Sequence, residues 1–156
     1  MSTKAQIFSS DFVFAVFIFL LTISIIYYLW VVKLHYIKEE REFEKMSYHA
    51  QIASNVWMRE GFPKYWNISN IIDLGLQNDK RLNKTKMQML NEIGYEKVKT
   101  LCALDEYELL LRVYDTENKT LFEFGKLEEA KNVVKIKRVG LLESNIVFID
   151  TIVWSK

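Results

Sequence analysis

Few of the 156 residues have the type and spacing that catalysis or metal binding requires. His35 and His49 are the only histidines, fourteen residues apart in a segment that reads as helix. At the standard rise that separation is about 21 Å, too far for one metal ion. Asp105, Glu106 and Glu108 could hold a cation, but charged residues just before an alternating strand are more simply read as solvated. Cys102 is the single cysteine. It has no partner for an intramolecular disulfide, and its neighbours Leu101, Ala103 and Leu104 favour a buried thiol over a nucleophile. There is no phosphate-binding glycine loop, no dinucleotide fingerprint and no nucleophile elbow. The expectation is a protein that is not an enzyme and carries no cofactor. Three triplets do carry a defined chemistry: Asn67-Ile68-Ser69, Asn83-Lys84-Thr85 and Asn118-Lys119-Thr120 fit the acceptor pattern for N-glycosylation. The same asparagines also fit turn and helix-cap positions, which is the simpler reading of each one.

The elements that position these residues begin with a segment, residues 12–32, that contains no charged side chain. As a helix it is about 30 Å long, the hydrocarbon thickness of a bilayer. Tyr27, Tyr28 and Trp30 near its end suit the membrane boundary, and no small-residue cleavage site follows them, so the segment reads as an anchor. Roughly 120 residues remain beyond it, enough for one domain with its own core. With 21 basic and 20 acidic residues the formal net charge is +1, which gives no basis for a nucleic-acid partner.

Lys4, Ala5, Gln6 and a polar run ending at Asp11 precede this segment. That order resembles the class III signal of archaeal type IV pilin-like proteins, in which a membrane prepilin peptidase cuts on the cytoplasmic side of the hydrophobic helix. The resemblance implies a cut between Ala5 and Gln6, with Ala5 standing where the family more often has glycine. The family's acid lies four residues after the Gln, where this chain has Ser10, and the acid here is Asp11. In the family logic that acid pairs with the new terminal amine during assembly; the alternative is that Ser9, Ser10 and Asp11 cap the helix. A second likeness lies further along, in Gly61, Pro63, Trp66, Asn70, Gly75-Leu76, Leu82-Asn83, Lys86, Tyr95 and Lys99, which resemble a module recurring in the heads of archaeal pilin-like membrane proteins.

Past the membrane segment, residues 33–59 lack Gly and Pro and place Met46, Ala50, Ala53 and Trp57 at helical spacing, so the helix is expected to run to about Arg59. Residues 38–42 are charged at every position and read as solvated. Gly61 and Pro63 end the helix. The cluster of Trp57, Phe62, Tyr65 and Trp66 is read as a seal between helix and head, with an exposed contact patch as the lesser reading. Leu82, Lys86, Met89, Leu90 and Ile93 predict a helix, and Gly94 separates it from a second over residues 95–101. Alternation in residues 107–114, turn residues at 115–119 and a further run to Phe124 predict a hairpin. Residues 133–142 and 146–154 predict another, whose last strand is apolar on both faces and therefore central.

The expected fold is α+β: a long N-terminal transmembrane and stalk helix, then a small head of short helices on a mainly antiparallel β-sheet. The domain reading is 1–5 leader, 6–60 transmembrane and stalk helix, 61–156 head. The resemblance implies a structural subunit, a pilin or minor pilin-like protein of a surface filament, with the membrane, prepilin peptidase and other pilin-like subunits as partners and the head outside the cell. The alternative is an untrimmed single-span protein whose head binds a partner or supports a membrane complex. The acceptor triplets agree with an external head. Lys33, Lys38, Arg41 and Lys45, against Lys4 and the terminal amine on the other flank, favour the opposite side.

Overall fold

Helix-favouring residues without Gly or Pro run through the first third of the chain, and in the computed structural model they form one helix, α1, Thr3–Val56. The structure describes residues 3–155, with side chains from Ser10 to Ser155. The described chain divides into two units between Glu42 and Phe43. The helix stops three residues short of the expected Arg59. Met58 and Arg59 instead donate to the Asn55 and Val56 carbonyls in a tight turn, and the Arg59 carbonyl accepts from Gln77.

In the second unit the chain continues as β1, Gln77–Asn78; β2, Arg81–Leu82; α2, Lys84–Ile93; α3, Tyr95–Leu101; β3, Glu108–Asp115; β4, Thr120–Phe124; β5, Asn132–Leu142; and β6, Asn145–Ser155. The six strands make one sheet in the order β1-β2-β5-β6-β3-β4. All neighbours are antiparallel except β2 and β5, which meet in parallel at Leu82 and Leu142 alone. The α+β class and the mainly antiparallel sheet are as expected. So is the central place of β6, flanked by β5 and β3.

Period two divides the sheet into two faces. Leu109, Leu111 and Val113 of β3 stand opposite Val153, Thr151 and Ile149 of β6, and these residues are all buried. They form one core with Met46, Ala50, Ala53 and Val56 from the C-terminal end of α1, with Trp57 just beyond it, and with Met87, Leu90, Ile93 and Val98 of the short helices. Ala50 and Ala53 carry only a methyl group, which lets this part of α1 lie close against its neighbours. Trp57 fills the volume beyond them and donates its Nε1 hydrogen to Thr151 Oγ1 at 3.0 Å. Arg138 ties the same stretch to β5 through Ser54 Oγ and Asn55 Oδ1, at 3.2 and 2.8 Å. On the outer face Asp150, although buried, is neutralised by Lys135 at 2.6 Å and accepts from the Tyr114 hydroxyl at 3.3 Å.

Replacing Trp57 with alanine removes a fully buried indole from this core and leaves Thr151 without its partner. A loss of about 3–5 kcal/mol is expected. Urea unfolding of the detergent-solubilised chain, followed by near-ultraviolet circular dichroism, measures it.

Candidate functional site

The surface that sets this chain apart is on α1. Each residue from Phe12 to Val32 is exposed, and none of the most apolar window of this helix is buried within the chain. Phe12, Phe14, Phe17 and Phe19 are each more than 60% exposed, and so are Tyr27, Tyr28 and Trp30. A helix apolar on all sides needs an apolar medium around it, and this one is long and apolar enough to cross a membrane. Its two hydroxyl residues satisfy themselves: Thr22 donates to the Ile18 carbonyl and Ser24 to the Leu20 carbonyl, both at 2.8 Å. Each bond returns four residues along the same helix, so neither hydroxyl is left bare toward hydrocarbon.

Asp11 stands at the border of this surface, exposed, and α1 runs through Ser9, Ser10 and Asp11. These residues therefore lie inside the described helix rather than at its first turn. The side chains of Ala5 and Gln6 fall outside the described residues.

The second feature is the loop from Gly61 to Gly75, held by a lysine. Lys86 sits on the buried side of α2 with Met87, Leu90 and Ile93, and is only 3% exposed. Its ammonium donates to the carbonyls of Glu60, Lys64 and Gln77 at 2.6, 2.8 and 3.0 Å. Three N–H donors meet three backbone acceptors, and the indole of Trp66 lies 5.5 Å from the same nitrogen. Trp66 in turn donates Nε1–H to the Gly75 carbonyl at 2.8 Å. Gly61 and Gly75 pass so closely that a Cβ on Gly75 would stand 2.3 Å from the Gly61 nitrogen, and Gly61 itself has φ +76°. Both positions exclude a side chain. Asn83 caps α2 by accepting from the Lys86 N–H at 3.1 Å.

The aromatic cluster expected to seal the helix and head divides in two. Trp57 and Trp66 are buried, whereas Phe62 and Tyr65 are exposed, as is Ile72 on the same loop. Tyr95 and Lys99 form a separate cluster around Glu108. The Tyr95 hydroxyl accepts from Leu109 N–H at 2.9 Å and donates toward Glu108 at 2.8 Å, and Lys99 lies 3.3 Å from that carboxylate. Burial pushes the Tyr95 hydroxyl up from its ordinary pKa.

The three candidate glycan acceptors take separate places. Asn67 is exposed, and its side-chain oxygen accepts from the Ser69 and Asn70 N–H groups in a turn. Asn83 is half-buried at the α2 cap. Asn118 is exposed at φ +63° in the β3–β4 turn. Of the carboxylates near residue 106, Asp105 accepts from Thr100 Oγ1, Glu106 pairs with Lys45, which holds its pKa below the usual range, and Glu108 faces Lys99. Cys102 is fully buried, which raises the pKa of its thiol. His35 lies 3.6 Å from Glu39, and His49 Nδ1 lies 2.7 Å from the Ala103 carbonyl. Among the described residues no group of three His, Cys, Asp or Glu side chains could hold a metal ion.

Lys86→Met leaves three carbonyls without their shared donor and is expected to destabilise the head by about 2–4 kcal/mol, since a bond to a charged donor contributes about 1.5–3 kcal/mol. Lys86→Arg should not restore it, because a planar guanidinium cannot reach three acceptors arranged around one nitrogen. Hydrogen exchange of the amides in residues 61–76 reads both variants. Burial lowers the Lys86 pKa below its ordinary 10.5 against the attraction of Glu60. Between the folded and unfolded values the unfolded chain holds the extra proton, so this residue makes stability rise with pH in that window. The stability gap between the native chain and Lys86→Met should therefore widen as pH climbs toward 10.5.

No protein-family model, curated protein or solved structure matches this chain.

Proposed function

We propose that this chain is a structural subunit, pilin or minor pilin-like, of an archaeal type IV pilus-like surface filament. The observation that carries the reading is α1: a helix apolar on every face over residues 12–32, unburied in its own chain, whose C-terminal end is built into the core of the second unit. Such a helix suits a subunit held first by lipid and then by neighbouring helices, because large phenylalanine surfaces can exchange lipid contacts for helix contacts at little cost. Prepilin peptidase would remove residues 1–5 and leave Gln6 as the new terminus, and Asp11 would pair with a terminal amine in the packed state. The head would face outward.

A second reading has one observation in its favour. Lys33, Lys38, Arg41 and Lys45 on the far flank of the segment favour a cytoplasmic head by the positive-inside rule, as in an untrimmed single-span protein that supports a membrane complex.

Intact mass and N-terminal sequencing of the native protein separate the two. A chain starting at Gln6 is expected, and one retaining Lys4 contradicts trimming. Asp11→Ala should leave trimming intact and reduce recovery of subunit in the sheared surface fraction; unchanged recovery removes the pairing role. If the head is exported, glycopeptide mass spectrometry should find occupancy at the exposed Asn67 and Asn118 before Asn83, whose side chain is committed to the α2 cap.

A further inference from the structure

The β5–β6 turn holds two residues, Glu143 and Ser144, closed by the pair Leu142 and Asn145, with Glu143 at φ +57°. In a two-residue hairpin the closing pair is hydrogen-bonded, and the bonded pairs then alternate along the strands. Residues 134, 136, 138, 140 and 142 of β5 therefore bond to β6, and the backbone N–H and C=O groups of 133, 135, 137, 139 and 141 point away from it. The same alternation carried across β6 and β3 turns Leu109 away from β6, and both of its backbone groups indeed meet the Tyr95 hydroxyl. Carried one strand further, it turns Glu123 of β4 outward as well.

Among the described residues β2 touches β5 only at Leu142, and β4 is the last strand of the sheet. Since β5 and β3 both run antiparallel to β6, and β4 runs antiparallel to β3, β4 and β5 are mutually antiparallel. Two copies side by side in the same orientation therefore present β4 of one to β5 of the next in the correct sense for a ladder. Charge agrees with this. Val133, Lys135, Lys137 and Val139 lie on the outer face of β5 and are exposed, with Lys135 paired to Asp150, and Glu123 lies on that face of β4, paired to Arg112 at 2.7 Å. Two β5 edges would set Lys135 and Lys137 against the same residues of the other copy, which disfavours self-pairing.

We propose that a second copy of this chain adds its β4 edge to β5, with Glu123 of one copy opposite Lys137 of the next; a bulge at Leu121 breaks the alternation beyond that pair. The contact joins unlike edges, so it leaves one of each free at the ends and propagates as an open series rather than closing as a dimer. It rests on the filament-subunit reading and supplies a contact between heads in addition to the apolar helices. Lysines on an edge ordinarily discourage pairing, and here they select an acidic partner.

The test uses the full-length chain in its own membrane with Glu123→Cys, Lys137→Cys or both, and a thiol cross-linker with a reach of about 5 Å, the side-chain separation across paired strands. The native Cys102 is fully buried, so its protection from labelling reports that each variant is folded. The double variant should give a ladder of dimers, trimers and larger species, each single variant should stay monomeric, and a mixture of the two singles should give dimers only. Adding Lys135→Pro to the double variant should abolish the ladder, because that residue's N–H points away from β6. A Lys137→Cys chain that links to itself, or a folded double variant that stays monomeric, would overturn the pairing. Intact mass of the same samples keeps the two ideas apart: a trimmed chain without a ladder refutes only the edge contact, and a ladder of untrimmed chains refutes only the filament reading.

Discussion

Over residues 12–32 this chain builds a helix with no apolar partner of its own, and everything else in the account follows from the need to supply one. Burial stabilises apolar surface by about 25 cal/mol per Å², so a segment with four phenylalanines, two tyrosines and a tryptophan cannot remain in water. The chain removes every local obstacle to a lipid environment. No charge interrupts the segment, and its Thr22 and Ser24 hydroxyls bond back to the helix they stand on.

The second unit solves the opposite problem. It lacks disulfides, and its long loop from Gly61 to Gly75 has little regular structure, so the backbone carbonyls there need donors. From one nitrogen Lys86 supplies a donor to Lys64 within the loop and to Glu60 and Gln77 on either side of it, and Trp66 supplies another to Gly75. Burying an ammonium is costly, and the lowered pKa of Lys86 records that cost, but every one of its hydrogens is used. The loop is thereby fixed to α2 and to the end of α1, with Phe62 and Tyr65 turned outward and the two tryptophans turned in.

Much of the fold was legible because its elements are long enough to show a period. α2, α3 and the two hairpins fall where apolar spacing and turn residues put them, and β6, apolar on both faces, is the central strand. The β1–β2 pair escaped because two-residue strands have no period. The end of α1 came early because the N–H groups of Met58 and Arg59 turn to the carbonyls three residues back, Asn55 and Val56, instead of four. Lys86 is the instructive case. A lysine on the apolar stripe of a helix is a sign of burial, yet its acceptors are carbonyls, which carry no mark in a sequence. Of the residues grouped by the head-module resemblance, Gly61, Trp66, Gly75, Asn83 and Lys86 come together in space, while Tyr95 and Lys99 serve a different cluster. The cleavage pair Ala5 and Gln6 and the charge of Asp11 depend on a protease and on neighbouring chains, so their roles are not a property of one folded chain.

The claim that residues 12–32 exchange lipid for neighbouring helices is tested most directly by labelling with a photoactivatable group carried on a lipid acyl chain. Peptide mapping should find the label on residues 12–32 in the membrane fraction and should find those residues protected in the sheared surface fraction. Equal labelling of this segment in both fractions, or none in the membrane, would contradict the account.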